Sequence, residues 1–185
     1  MVEVSRLSDT YDYIPVMFSE RLLPVSEFTE GKLISDEGQF RSYNNYNSES
    51  SHKLMLTVFA RDIVLMDSPD DVKIPNSIYL NGFICKKPVY RTTPFGREIA
   101  DILLAVNRAY NKSDYIPCIA WGRNARFASH FEIGDNIKIW GRIQSRQYQK
   151  KFQDGTVEDR TAYEVSISKM EISKDNNNAR KDSED

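Results

Sequence analysis

Cationic and aromatic side chains alternate along residues 136–150 of this 185-residue chain. Successive side chains of a β-strand point to opposite faces. A strand here would place one polar set on a single face: Lys138, Trp140, Arg142, Gln144, Arg146, Tyr148 and Lys150. Ile137, Ile139 and Ile143 would form a core row on the other face, unless a bulge at Gly141 shifts the register. Cations can follow phosphates while rings stack on unpaired bases, at about 1–3 kcal/mol per base, so the pattern predicts a surface for single-stranded nucleic acid.

Residues 115–121 also alternate, but their pattern is compatible with two orientations. One face would hold Tyr115, Pro117, Ile119 and Trp121, and the other Ile116, Cys118 and Ala120. Either set is apolar enough to form a core, so alternation alone leaves open which face is turned to solvent.

Charge is distributed unevenly along the chain. The formal net charge of −2 divides into −6 for residues 1–75, +8 for 76–151 and −4 for 152–185. A basic block between acidic flanks indicates a polyanionic partner, with a merely solvated surface as the alternative.

The residues that catalysis or metal binding would require are scattered. His52 and His130 are isolated, and the sequence has no H-x-E, no C-x-x-C and no glycine-rich phosphate loop. Cys85 and Cys118 stand alone in apolar stretches and are expected in the core, in a reducing cytoplasm. We therefore expect no enzyme, no metal, no cofactor and no small-molecule substrate. The sequence also has no long apolar run and no secretory signal pattern, so we expect no membrane segment.

The tetrapeptide DYIP occurs at residues 12–15 and again at 114–117, and the similarity extends to both sides. Residues 2–6 align with 104–108, 31–43 with 134–146, and 54–63 with 163–172. Two glycines of the first copy, Gly31 and Gly38, meet Gly134 and Gly141 of the second. This shared order of segments predicts a duplicated domain.

Short alternating runs between turn signals predict antiparallel β-structure in each copy. In the second copy we expect strands at 77–84, 97–110, 114–122, 136–151 and 160–172, a turn-rich segment at 85–96, a short helix within 123–134 and a hairpin turn at Asp154-Gly155. Three strands, a helix and two more strands are typical of a small OB-fold barrel. We therefore predict a mainly all-β protein with tandem OB-fold barrels, each with a short helix.

The first copy is predicted to be incomplete. Met1 aligns with Leu103, so the counterparts of residues 76–102 would precede residue 1. The expected domains are a partial OB-fold at 1–66, a linker at 67–75, a complete barrel at 76–173 and a disordered acidic tail at 174–185. Either the chain is a shortened version of a longer protein, or another segment, such as one from a second copy, fills the gap. Because an open barrel exposes strand edges, we expect the first copy to become ordered mainly through an intermolecular contact.

Four motifs of the second copy occur together. They are a strand ending in Gly82, P-x-x-R-x-T-P-x-G from Pro88 to Gly96, L-A-V-N-R from Leu104 to Arg108, and D-x-I-x-C-x-A-W-G from Asp114 to Gly122. With the strand GDNIKIWGRIQSRQYQ, they resemble bacterial single-stranded DNA-binding proteins of the SSB family over about 76–172.

This resemblance implies roles for particular residues. It implies base stacking by Tyr110, Tyr115, Trp121 and Tyr148, with Tyr115 and Trp121 on the DNA face, and phosphate contacts by Arg91, Arg123 and Arg146. Charge and strand parity add Lys86, Lys87, Arg97, Arg108, Arg142 and Lys150 to the phosphate-contacting set. Trp140 is added to the stacking set, with a subunit interface as its alternative role.

The resemblance also implies a function. We expect the chain to bind and protect single-stranded DNA, with little sequence preference, during replication, recombination or repair in the bacterial cytoplasm near the nucleoid. A homo-oligomer of two-barrel chains would supply the four barrels of most family members. An OB-fold accessory protein acting through protein contacts, in a primosome or conjugation module, is the alternative. The end DSED lacks the family's apolar Pro-Phe tip, so the resemblance does not extend to recruitment of partners through the tail. Ser19 stands where the second copy has Trp121, and the first copy carries a net charge of −6, so we expect the first copy to bind more weakly.

Overall fold

A computed structural model describes residues 1–45, 53–68 and 74–173. The chain divides into two compact units, Met1–Pro75 and Asn76–Asp185. The expected acidic tail at 174–185 lies outside the described residues, as do residues 69–73 of the expected linker. None of the helices in the described ranges is long and apolar enough to cross a membrane.

The strands in the described part of the first unit form two small sheets. Its strands are β1 (Val2–Ser5), β2 (Tyr11–Ile14), β3 (Val16–Met17), β4 (Leu33–Asn45) and β5 (Lys53–Met66). β1 pairs with β2, and β5 lies between β3 and β4. A single turn of 3-10 helix, Val25–Glu27, lies between β3 and β4.

The second unit is a closed five-stranded barrel. Its elements are β6 (Ile78–Thr92), β7 (Glu98–Arg108), β8 (Lys112–Trp121), α1 (Arg123–Ala128), β9 (Asn136–Lys151) and β10 (Val157–Ile172). The strand order around the barrel is β10-β8-β7-β6-β9, and a parallel pairing of β8 with β10 closes it. Leu104, Ile116, Ile139 and Val165 are fully buried inside. The predicted helix, the strand at 136–151 and the hairpin at Asp154-Gly155 are confirmed.

The prediction of a turn-rich segment at 85–96 is wrong for its first part. β6 continues to Thr92, and only residues 93–97 form the turn. The β6–β7 ladder passes Lys86 through two register shifts, and Pro88 lies within the second of them. Proline cannot donate to a ladder but is tolerated at such an irregularity, so the strand passes a residue that ordinarily ends one.

The two units repeat the same strand register. Val2 faces Ile14 in the β1–β2 ladder, and Leu104 faces Ile116 in the β7–β8 ladder, as the aligned DYIP segments predict. Each ladder also ends in the same ion pair, between a buried carboxylate and a partly exposed guanidinium group. The Arg6 Nε donates to Asp12 at 2.9 Å, and the Arg108 Nε lies 2.9 Å from Asp114.

A glycine and a bulge recur at matching positions. Gly38 faces Ala60 with Arg61 as the extra residue, and Gly141 faces Ile167 with Ser168 as the extra residue. The expected irregularity at Gly141 therefore lies on the opposite strand, so the alternation of β9 is unbroken.

The alignment of 54–63 with 163–172 is wrong by two residues. It matched Val58 with Ile167, but the ladders make Val58 equivalent to Val165. Because side chains alternate with a period of two, a two-residue error keeps the same inward and outward pattern, so the sequence could not reveal it.

The described part of the first unit does not close into a barrel. In the second unit, β6 lies between β7 and β9. Within residues 1–45 and 53–68, no strand occupies the equivalent place between β1 and β4. A small core remains, made of Ile14, Phe40, Leu56 and Ile63.

The close approach at Gly141 leads to a stability prediction. A Cβ added there would lie 2.2 Å from the carbonyl oxygen of Ser166. We expect Gly141→Ala to lower the free energy of unfolding by at least about 1–3 kcal/mol, as overpacking does. Gly155→Asn is the control, because the space around Gly155 is open and Asn tolerates its φ of +84°. Urea unfolding followed by fluorescence reports on this unit, since both tryptophans lie in it. Equal losses for the two variants would contradict the prediction.

Candidate nucleic-acid interface

The structure resolves the orientation of β8. Tyr115 and Trp121 are 46% and 39% exposed, whereas Ile116 and Ala120 are 0% exposed and Cys118 is 3% exposed. Burial, with a smaller contribution from the charge of Glu164, raises the pKa of the Cys118 thiol. Tyr115 and Trp121 therefore lie on the outer surface of the barrel.

Trp121 is held in place by the closing strand. Its indole Nε1 donates a hydrogen bond to the Ser166 Oγ at 3.3 Å. Ser166 in turn faces Arg142 across the β9–β10 ladder. Barrel closure thus connects the ring on β8 with the outward row of β9.

A buried carboxylate organises the middle of that row. Glu164 is 8% exposed and accepts a hydrogen bond from the Gln144 Nε2 at 2.7 Å. The Arg146 Nε lies 3.7 Å from the same carboxylate, and the Arg142 Nη2 donates to the Gln144 Oε1 at 3.2 Å. The cluster contains two guanidinium groups and one carboxylate, so it retains one positive charge.

The β9–β10 hairpin carries rings with cations above them. The Arg146 guanidinium lies 5.7 Å from the Tyr148 ring centroid, and the Lys150 Nζ lies 5.0 Å from that of Phe152. The Arg160 guanidinium also lies 5.7 Å from the Phe152 ring. Phe152 was missed by the sequence interpretation because it follows the end of the alternating strand.

The remaining predicted phosphate contacts fall into two groups. Lys86, Arg97 and Arg123 are exposed on β6, on the β6–β7 turn and at the start of α1. Arg91 and Lys87 form exposed ion pairs, with Asp101 at 2.9 Å and with Glu132 at 3.4 Å.

Arg108 has a different environment. Its partner Asp114 is 2% exposed, so the guanidinium neutralises a buried charge. Removing one partner of a buried pair leaves an uncompensated charge at high cost. We therefore leave Arg108 out of the proposed interface.

Two of the predicted stacking residues have surroundings different from those of the β8 rings. Tyr110 lies in the β7–β8 turn at φ +61°, with its side chain almost fully exposed. Trp140 lies in a separate cluster, 5.1 Å from the Tyr79 ring and 4.6 Å below the Lys169 Nζ.

The equivalent surface of the first unit has different chemistry. The Tyr13 hydroxyl hydrogen-bonds to Glu3, and this bond raises the pKa of Tyr13. Asp36 occupies the place of the core residue Ile139, and burial raises its pKa. Arg41 is engaged by Gln39 and lies over the Phe59 ring at 4.9 Å.

Comparison with known protein families gives a match over the second unit. The single-strand binding protein family matches residues 75–173. The chain belongs to this family. The barrel, its β8 rings and its basic outer face are thus features of a family member.

Similar proteins are named for binding single-stranded DNA. The chain is 38% identical over 88 residues to the "Single-stranded DNA-binding protein" of Clostridium tetani, a match over 44% of this chain and 59% of that protein. It is 32% identical over 83 residues to "Single-stranded DNA-binding protein B" of Bacillus subtilis, over 41% of this chain and 74% of that protein. The chain spans about half the length of most of the curated relatives it matches.

The fold is similar to a solved structure. The wild-type single-stranded DNA-binding protein of Thermus aquaticus matches with a TM-score of 0.71 and 20% identity, over 91% of this chain and 75% of that chain. A match of that extent includes residues of the first unit as well as the second.

The two tryptophans allow a test of the interface. In a Trp140→Phe variant, the emission of Trp121 should be strongly quenched by oligo-dT, because its exposed ring is free to stack on a base. In the matched Trp121→Phe variant, Trp140 should respond less, because Tyr79 and Lys169 already lie against its ring. Equal quenching of the two tryptophans would place Trp140 on the DNA path.

Proposed function

We propose that this chain binds single-stranded DNA with little sequence preference and protects it during replication, recombination or repair. The observation that carries the proposal is the set of exposed rings, Tyr115, Trp121 and Tyr148, beside cations on the outer face of the barrel. Rings of this kind can stack only on bases that are unpaired, and every base presents a π-face. Binding is therefore selective for single strands and tolerant of sequence.

The ion pairs of this surface are compatible with phosphate binding. Arg91 and Asp101 are both about half exposed, and exposed pairs contribute only about 0–1 kcal/mol. A phosphate can therefore replace the carboxylate at low cost. The net charge of +8 over residues 76–151 supplies the long-range attraction.

We propose that the first unit is a weakened copy of the second. We also propose that these two-unit chains form a homo-oligomer, and that the protein acts in the bacterial cytoplasm, near the nucleoid. The repeated ladder, ion pair and glycine support the duplication. The proposed activity requires no cofactor, since stacking and charge supply the binding energy. Titration with oligonucleotides of graded length tests the function and gives the site size.

Binding should weaken steeply with salt. The slope of log K against log salt should be about −0.7 per phosphate neutralised. Arg142→Gln should make the slope shallower by about 0.7, the value of one phosphate. Arg61→Gln is the control, because Arg61 is the exposed bulge residue of the first unit. Fluorescence titrations between low and moderate salt measure the slope for each variant. An affinity that does not vary with salt would refute electrostatic binding.

The two units should contribute unequally. Trp121→Ala should weaken binding by about 1–3 kcal/mol, as loss of a stacked ring does. Tyr13→Ala should cost less, because Tyr13 is bound to Glu3 in an acidic unit. Fluorescence anisotropy of a labelled oligo-dT measures both variants. Equal losses would show that the first unit is a full binding site.

A further inference from the structure

Three residues form an outward row across adjacent strands of the barrel. Phe83 on β6 faces Ala105 on β7, and Ala105 faces Tyr115 on β8. Phe83 and Tyr115 are 40% and 46% exposed, while their neighbours Ile84 and Ile116 are buried. Two large exposed rings therefore flank one methyl group on the outer surface.

The spacing of this row suits a planar guest. Adjacent strands lie about 4.8 Å apart, so the strands that carry the two rings are roughly 10 Å apart. A flat base in contact with a ring on each side needs about 7–8 Å between the rings, at a contact distance of 3.5–4.0 Å. Ala105, which lies between the two rings in the register, fills little of this space because its side chain is a single methyl group.

The same position in the first unit is occupied differently. Glu3 faces Tyr13 in the ladder, just as Ala105 faces Tyr115. Glu3 also hydrogen-bonds to the Tyr13 hydroxyl. The carboxylate thus places a negative charge beside the Tyr13 ring, and this charge repels a phosphate backbone.

We propose that Phe83 and Tyr115 hold one unpaired base between their rings, over Ala105. In the first unit, whose described residues supply no counterpart of Phe83, Glu3 binds the hydroxyl of the equivalent ring, Tyr13. The proposal rests on the proposed function, since it names a subsite of the same DNA surface. Lys86 lies in the next outward row, opposite Leu103, and is exposed. Two residues of a strand span roughly 7 Å, so this cation lies within reach of the phosphate beside the held base.

The residue at position 105 provides the test. Affinity of the full chain for oligo-dT is measured by anisotropy for wild type, Phe83→Ala, Phe83→Tyr, Ala105→Gln and Ala105→Glu. Phe83→Ala should weaken binding about 5-fold to 150-fold, the range expected for one stacked base. Phe83→Tyr should retain wild-type affinity. Ala105→Gln should weaken binding by filling the slot, and Ala105→Glu should weaken it further.

A matched control separates filling from charge. Asn107→Asp adds one negative charge to the same strand, two residues from Ala105, and keeps an oxygen that accepts from the Ser113 hydroxyl. It should reduce affinity less than Ala105→Gln. Thermal unfolding shows whether each variant is folded. Because Phe83 is exposed, its variants still test the slot if an Ala105 variant is unstable.

The outcomes are distinguishable. Wild-type affinity for both Phe83→Ala and Ala105→Gln, with intact quenching of Trp121, would overturn the slot and leave the proposed function standing. If oligo-dT neither binds wild type nor quenches Trp121, the proposed function fails and the slot fails with it.

Discussion

The parallel pairing of β8 with β10 is the contact on which the second unit depends. Val165 faces Cys118 and Ser166 faces Ile119, and these few residues turn an open sheet into a closed barrel. Closure removes two strand edges and buries Ile116 and Val165 completely. It also brings Ser166 to the Trp121 indole, so the position of this ring on the outer face depends on barrel closure.

Much of this barrel could be predicted from the sequence, for a physical reason. Where one side of a strand is fully buried, alternation is strong, and the bounds of β9 were predicted to the residue. Alternation does not predict which face is buried where the residues on both faces are apolar, as on β8. It also fails where a polar residue is buried against a partner far along the chain, as Gln144 is against Glu164. Phe83 was missed although its parity on β6 is visible, since only the register shows that it shares a row with Tyr115.

The two units keep the backbone requirements of the fold and differ in surface chemistry. Both units contain the ion pair of a buried aspartate and the glycine opposite the bulge. Loss of the arginine would leave a buried charge unpaired. A side chain in place of the glycine would force two backbones apart. Outward positions have diverged, with Ser19 in place of Trp121 and Glu3 in place of Ala105. The interior has diverged at Asp36, where the second unit has Ile139. The same ladder thus supports a basic aromatic surface in one unit and an acidic one in the other.

The closing strand is also the last strand among the described residues of its unit, and this affects the order of folding. The β7–β8 and β9–β10 pairs join neighbours in the chain and form by local contacts. The β8–β10 pair joins residue 165 to residue 118, so the entropy of a long loop is lost before the contact forms. On a ribosome, every earlier strand of the barrel emerges before its closing partner does. Until β10 is synthesised, β8 presents an unpaired edge, and the nascent chain passes through this open state each time the protein is made.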